Sequence, residues 1–430
     1  MDKRKHDREI LHLAVPAFGA LVAEPLFLLS DAAIVGRLGT AQQAALTIAG
    51  QALTTLIGVC VFLAYATTAA VARQVGAGDL RHATRQGIDG LWLALVIGAA
   101  LIAVGVPASP SIIGFFEHNE YAVEYLRISL LGAPAMLVVL AGTGVLRGLQ
   151  NGRVPLYVSA GMFTANLVLN ALFVLVFGWG IAGSAWGTVT AQTGGALVYL
   201  VTVLRLARRH GASLMPDRQG LRTAVSSGFA LVIRTVTLQA TLVLATLVAA
   251  RQGPDAAAAY GISSRIWMLS SYILDAVAIA GQSLLGRHLG AGDQTAAREV
   301  TRRMLWWGLF TSCGFGALLL AVRPWVPGLF DATPEVSALL LQALLVVALI
   351  QPLGGLTFVL DGVLIGAGDM KYLAWAGVFT LAAFLPAARL VAGHGLAALW
   401  LALGWWMAVR MLTLGARART GAWLVTGAVR

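Results

Sequence analysis

Two carboxylates, Glu24 and Asp31, stand inside an apolar stretch long enough to cross a bilayer, Ile10 to Gly36. Placing an ionisable group at the centre of a membrane span costs roughly 2.5–3.5 kcal/mol even on a lenient scale, so such groups turn to the protein interior and mark ion or substrate pathways. The two acids are seven residues apart. That is two helical turns with about 20° of slippage, which puts both on one helix face. The chemistry open to them is reversible binding of a proton or a small cation, because burial disfavours the bare charge. Pro16 and Pro25 punctuate the same stretch; each removes a backbone donor and invites a bend. A bendable helix with acids on one face is a candidate moving part. The competing reading is a pair of structural acids held by hydrogen bonds or by an arginine.

Other polar residues stand at positions that read as helix interior. Asn166 and Asn170 are four apart and share a face. The next apolar run carries Ser184, Thr188, Thr190 and Gln192. With Glu24 and Asp31 they outline a hydrated cation site, or else the hydrogen bonds by which membrane helices associate. The second half of the chain offers Gln239, Asp275 and Asp361, with Arg234 and Arg265 as buried cations. Arg265 and Asp275 lie about 80° apart around one helix, so their partners are expected on neighbouring helices, and buried opposite charges usually pair. Trp306-Trp307 and Trp405-Trp406 read as interface anchors or packing. Enzyme chemistry finds no support: there is no Gly-rich loop with Lys-Ser/Thr, the seven His are scattered, and Cys60 and Cys313 stand far apart. No cofactor or metal site is expected, only a coupling ion, a proton or alternatively sodium.

The elements that position these residues follow from composition. The chain has 430 residues, 58% hydrophobic and 11% charged, against about 25% charged in soluble domains. It is an all-α integral membrane protein with the bilayer as its main solvent. Gly, Pro and charge divide it into twelve candidate spans near 10–36, 44–72, 87–107, 122–146, 154–177, 181–206, 223–250, 256–286, 303–322, 336–365, 370–391 and 395–415. Several exceed the minimum of about 20 residues, so tilt or extension beyond the bilayer is expected. The basic start, MDKRKHDRE, precedes an apolar run too long for a signal-peptide core and is read as leading into a retained first span.

Twelve spans put both termini on one side. With the amino terminus inside, the inner segments collect Lys3, Arg4, Lys5, Arg8, Arg73, Arg81, Arg85, Arg147, Arg153, the mid-chain cluster Arg205–Arg222, Arg287, Arg298, Arg302, Arg303, Lys371, Arg410, Arg417, Arg419 and Arg430. The outer segments hold Arg37, Arg251, Arg323 and Arg389, with Arg127 near an outer end. This asymmetry places both termini in the cytoplasm of a cell whose inner membrane the chain spans many times. It also accounts for the net charge of +11 without a nucleic-acid partner.

The longest polar connection lies at mid-chain, with six spans on each side, which prompts a search for a repeat. Arg73-Gln-Val-Gly-Ala-Gly-Asp79 reappears 214 residues on as Arg287-His-Leu-Gly-Ala-Gly-Asp293. Arg8 maps to Arg222 and Gly39 to Gly253 at the same shift, while Val145-Leu-Arg-Gly148 answers Val363-Leu-Ile-Gly366 and Gly180-Ile-Ala answers Gly395-Leu-Ala at nearly that shift. The order and constancy of the matches indicate a duplicated six-span unit: lobes 1–206 and 223–430 around a cytoplasmic loop at 207–222. Six is even, so the lobes are parallel repeats, a plan that in transporters puts substrate between halves that rock. The Gly-Ala-Gly-Asp turns need flexible glycines, and Asp79 and Asp293 are placed to cap the helices that follow.

These residues resemble the multidrug and toxic compound extrusion (MATE) family, in its DinF-type branch. The likeness rests on Val15-Pro16, Ala23-Glu24-Pro25, Ser30-Asp31 through Gly36-Arg-Leu-Gly39, Gly178-Trp-Gly-Ile-Ala-Gly183, Ala191-Gln192, Leu274-Asp275 through Gln282, and Asp361-Gly-Val-Leu-Ile-Gly-Ala-Gly-Asp369. It implies two six-helix lobes and cation-driven efflux of cationic or amphipathic compounds, with Asp31 as the coupling group. The family's span 5 pattern is Asn-x-x-Leu-Asp; here Asn166 fits and Asn170 replaces the acid. No span 6 acid occurs within 181–206. The expectation is therefore a proton-coupled antiporter, acting as a monomer, with Asp31 and Glu24 as coupling groups and Asn166, Asn170, Ser184, Thr188, Gln192, Gln239, Asp275 and Asp361 around substrate or cation. The alternatives are a sodium-coupled relative and a flippase for a lipid-linked metabolite.

Overall fold

The computed structural model describes residues 3–115 and 119–428, and no strand occurs among them. The helices are α1 (Lys3–Val35), α2 (Thr40–Gly76), α3 (Leu80–Gly114), α4 (Glu120–Leu131 with Ala133–Gly148), α5 (Arg153–Val176), α6 (Gly180–Arg209), α7 (Arg218–Arg251), α8 (Pro254–Gly290), α9 (Gln294–Val322), α10 (Pro334–Gly366), α11 (Met370–Val391) and α12 (Leu396–Thr420). Eleven are long and apolar enough to cross a membrane, and the two halves of α4, bent by 50°, complete a twelfth. Each of the twelve apolar runs of the sequence falls on one helix, and most helices run several residues past them. The bend in α4 falls at Gly132, with Pro134 in the first turn of the second half, where the missing N–H interrupts the ladder.

Contacts divide the chain into two units. One comprises Val15–Gly228 with Gly427; the other comprises Phe229–Thr426 and the residues up to Ala14. In the first, α4 packs against α2, α3 and α6; in the second, α10 packs against α8, α9 and α12. Helices in lipid gain little from hydrophobicity between themselves, so close approach at small residues carries the packing. Gly144 of α4 sits on the backbone of Ala64 in α2, and Gly362 of α10 sits on that of Ala278 in α8; a Cβ at either would lie 2.6 Å from the facing carbonyl oxygen. These are repeat-equivalent crossings at shifts of 218 and 214. Overpacking costs about 1–3 kcal/mol, so Gly362→Ala and Gly144→Ala are each expected to lower the melting temperature of the purified protein. Gly50→Ala is the control, since nothing lies within 4 Å of a Cβ there; equal melting temperatures for all three would remove this account of the crossings.

The turns joining α2 to α3, α4 to α5, α8 to α9 and α10 to α11 share one geometry. The N–H of Asp79, Asn151, Asp293 and Asp369 donates back to the carbonyl five residues earlier, at 2.8–3.0 Å. The residue before each has positive φ: Gly78 79°, Gln150 62°, Gly292 80° and Gly368 75°. This is the closed helix terminus that glycine favours. Asp79 accepts the His82 N–H at 2.9 Å and Asp293 the Ala296 N–H at 2.8 Å, the capping role their spacing suggests. The His82 backbone N–H and ring hold the Asp79 carboxyl below its ordinary range.

Candidate functional site

α1 runs unbroken through Pro16 and Pro25 and delivers Asp31 to the interior of the first unit, 2% exposed. There Asp31 meets α5, where Asn166 and Asn170 are fully buried on one face. The Asn170 amide donates to Asp31 Oδ1 and lies 3.4 Å from Asn166 Oδ1. Asn166 in turn donates to Thr188 Oγ1 of α6 at 3.1 Å. Asn170 is the last residue before a wide helical turn, Ala171–Val176, in which the Phe177 N–H reaches back to Leu172 O at 2.9 Å. Such local widening of a helix often accompanies functional positions. α6 approaches at Gly187, where a Cβ would collide with the Asn170 side-chain oxygen. That glycine lets the amide sit against bare backbone and fixes its pose. Asn170 Oδ1 has no hydrogen-bond partner among the described residues, which leaves polar capacity beside the carboxylate.

Tyr125 of α4 completes the cluster and was not singled out from sequence. It is 3% exposed; its hydroxyl lies beside Ser129, Ser184 and Thr188 and within the field of Asp31. The signal was available, since Tyr125 and Ser129 are four apart and share a helix face. No lysine, arginine or histidine pairs with Asp31 among the described residues. No group of three or more His, Cys, Asp or Glu able to hold a metal occurs among them.

Glu24 behaves differently. It is exposed and forms no hydrogen bond or ion pair among the described residues, so no contact joins it to Asp31. Two helical turns and Pro25 separate them, and the expected partnership is not formed here. Gln192 is half-buried and Gln239 is exposed; neither enters the cluster.

In the second unit the acids are met by arginine. Arg234 of α7 grips Asp361 of α10 through two nitrogens, Nε at 3.1 Å from Oδ1 and Nη2 on Oδ2. Arg410 of α12 approaches Asp361 at 3.6 Å, stands over the Trp406 ring at 5.1 Å and lies in the field of Asp275. Two sequence readings are corrected here. Arg410, counted among the inner-face cations, is 7% exposed, because α12 continues to Thr420 and carries that position inside the bundle. Arg265, read as buried, is exposed, because its position on α8 turns away from the packed faces. Asp361 is thus neutralised by the protein, whereas Asp31 is not.

Apolar, membrane-length helices in two repeat-related units, one of them holding a buried carboxylate, define a multi-pass membrane protein. The profile of the MatE family matches residues 16–172 and 230–388, once in each half. The chain belongs to this family, the MATE family of membrane transporters. It is 31% identical over 441 residues to Protein DETOXIFICATION 44, chloroplastic, of Arabidopsis thaliana, covering 96% of this chain and 83% of that protein. It is 26% identical over 434 residues to DNA damage-inducible protein F of Escherichia coli (strain K12), covering 97% and 94%. A solved structure described as the outward-facing conformation of a multidrug resistance MATE family transporter superposes with a TM-score of 0.87 at 21% identity, covering 97% of this chain and 96% of that one.

Proposed function

We propose that this protein is a proton-coupled antiporter that exports cationic or amphipathic organic compounds across the cytoplasmic membrane by alternating access, with both termini in the cytoplasm. The observation that carries the proposal is the treatment of Asp31: a buried carboxylate held by a neutral amide, with no basic side chain paired to it among the described residues. An isolated charge in such a place is costly, so neutrality is restored by something that comes and goes. A proton and a cationic compound can each supply that positive charge, and exchange between them is antiport if they favour different conformations. Asn166, Asn170, Ser184, Thr188 and Tyr125 position the carboxylate, and none of them carries charge at neutral pH. Asp31 is the only ionisable carboxylate among them, which favours a proton over a more highly charged sodium site. Pro16 and Pro25 are the places where α1 gives when Asp31 changes state. The words multidrug resistance in the description of the matched structure accord with a broad substrate range.

The test is transport of ethidium in proteoliposomes under an imposed proton gradient or, separately, a sodium gradient. Export driven by protons alone is the expected outcome. Export driven by sodium at clamped pH would transfer the coupling role to sodium, and failure of both gradients to move ethidium would end the cationic-substrate reading.

A further inference from the structure

α1 and α7 each begin in one unit and continue in the other. α1 changes unit after Ala14 and α7 after Gly228, positions separated by 214 residues, the shift of the internal repeat. The leading turns of α1 are held by α8 and α9. Asp7 takes two nitrogens of Arg303, at 2.5 and 2.6 Å, and the Trp307 indole N–H at 2.9 Å. Glu9 pairs with Arg287 at 3.2 Å, and His6, 5% exposed, lies 3.6 Å from Glu299. Arg303 also stands over the Trp306 ring at 4.5 Å.

The approach to α7 is held by α3 through side chains on one helix face. Asp89, 3% exposed, accepts the Asp217 backbone N–H at 2.9 Å. Arg85 pairs with the Asp217 carboxylate at 3.6 Å, and the Trp92 indole donates to Leu214 O at 3.0 Å. Gly220 lies directly against Asp89, where a Cβ would meet the carboxylate. Subtracting 214 from Glu299, Arg303 and Trp306 gives Arg85, Asp89 and Trp92. The charged positions 85/299 and 89/303 therefore meet the incoming segment in both units with inverted charges, while the indole contact comes from Trp92 in one and from Trp307, one residue beyond the equivalent Trp306, in the other.

We propose that positions 85 and 89 on α3, and 299 and 303 on α9, form two pseudo-symmetric clasps that hold the leading turns of α7 and α1 as fixed points, independently of the rest of those helices. Inversion moves the arginine that takes the segment's carboxylate from position 85, facing Asp217, to position 303, facing Asp7. Arg303 takes the Asp7 carboxylate; Asp89 takes a backbone N–H and would repel an acid in the place of Asp7. Such built-in repulsion against the wrong partner is a recognised source of specificity. The clasps do not depend on the identity of the coupling ion or substrate.

Amide hydrogen exchange of the full-length purified protein tests this, because exchange reports local opening segment by segment. Arg303→Asp is expected to speed exchange in residues 6–14 at least about tenfold and to leave residues 218–228 unchanged. Asp89→Ala is expected to do the reverse. Adding Asp7→Arg to Arg303→Asp restores most of the protection of residues 6–14, since the charge pair is re-formed with its sign exchanged. The proposal is overturned if neither variant alters its own segment, if each speeds both segments and the α10 core alike, or if the double variant exchanges as fast as Arg303→Asp.

Discussion

Asp31→Asn is expected to reduce proton-driven ethidium export to the leak rate while leaving the protein folded. An asparagine has the size of an aspartate and offers an acceptor to the Asn170 amide in place of the carboxylate oxygen, so the hydrogen bond to α5 survives. A neutral-for-charged exchange at an unpaired buried acid leaves no partner charge uncovered, so the melting temperature should stay within a few degrees, corresponding to about 1 kcal/mol. What disappears is the group whose charge a proton or a substrate must cancel. Glu24→Gln is expected to reduce transport no more than severalfold, because Glu24 is exposed and unpartnered among the described residues. Equal losses for the two variants would mean that the acids act as the pair their spacing suggests. Full transport by Asp31→Asn would remove the mechanism altogether.

Arg234→Ala should have the opposite profile, a large loss of stability without a direct effect on coupling. Arg234 and Asp361 are mostly buried, and their two-point contact satisfies both groups. Removing one member of such a pair strands the other in low dielectric and costs about 3–5 kcal/mol. Arg410 already stands 3.6 Å from Asp361, so the loss should fall near the lower end. Replacing both members, Arg234→Met with Asp361→Leu, is expected to recover part of the melting temperature, since a well-packed apolar pair is often as stable as a buried ion pair, while Arg410 loses its contact with Asp361 and keeps the field of Asp275. If the double variant melts as low as Arg234→Ala while both remain monodisperse, the pair matters for more than its charges.

The helices were legible because a bilayer demands long apolar runs and the chain punctuates them with Gly, Pro and charge. The repeat was legible because Gly78 and Gly292 occupy the same left-handed turn, which holds their motifs in register. Asn170 was found by its spacing from Asn166, but its contact with Asp31 joins positions 139 residues apart, and periodicity carries no information about such a distance. Tyr125 escaped because a tyrosine in an apolar span also reads as packing. Arg410 escaped because sequence does not fix where α12 leaves the bundle. The leading turns of α1 fall with the carboxy-terminal unit, although chain order assigns them to the first lobe. Asp7 and Glu9 find Arg303 and Arg287 across nearly 300 positions of sequence, where proximity along the chain says nothing.

Proton release on binding a cation tests the central claim most directly. Tetraphenylphosphonium added to weakly buffered, purified protein should displace about one proton per molecule bound, because proton and cation compete for one carboxylate and binding linkage is reciprocal. The Asp31→Asn protein should release none, and the Glu24→Gln protein should release as much as the wild type. Undiminished proton release from Asp31→Asn would contradict the account, since the exchanged proton would then reside elsewhere.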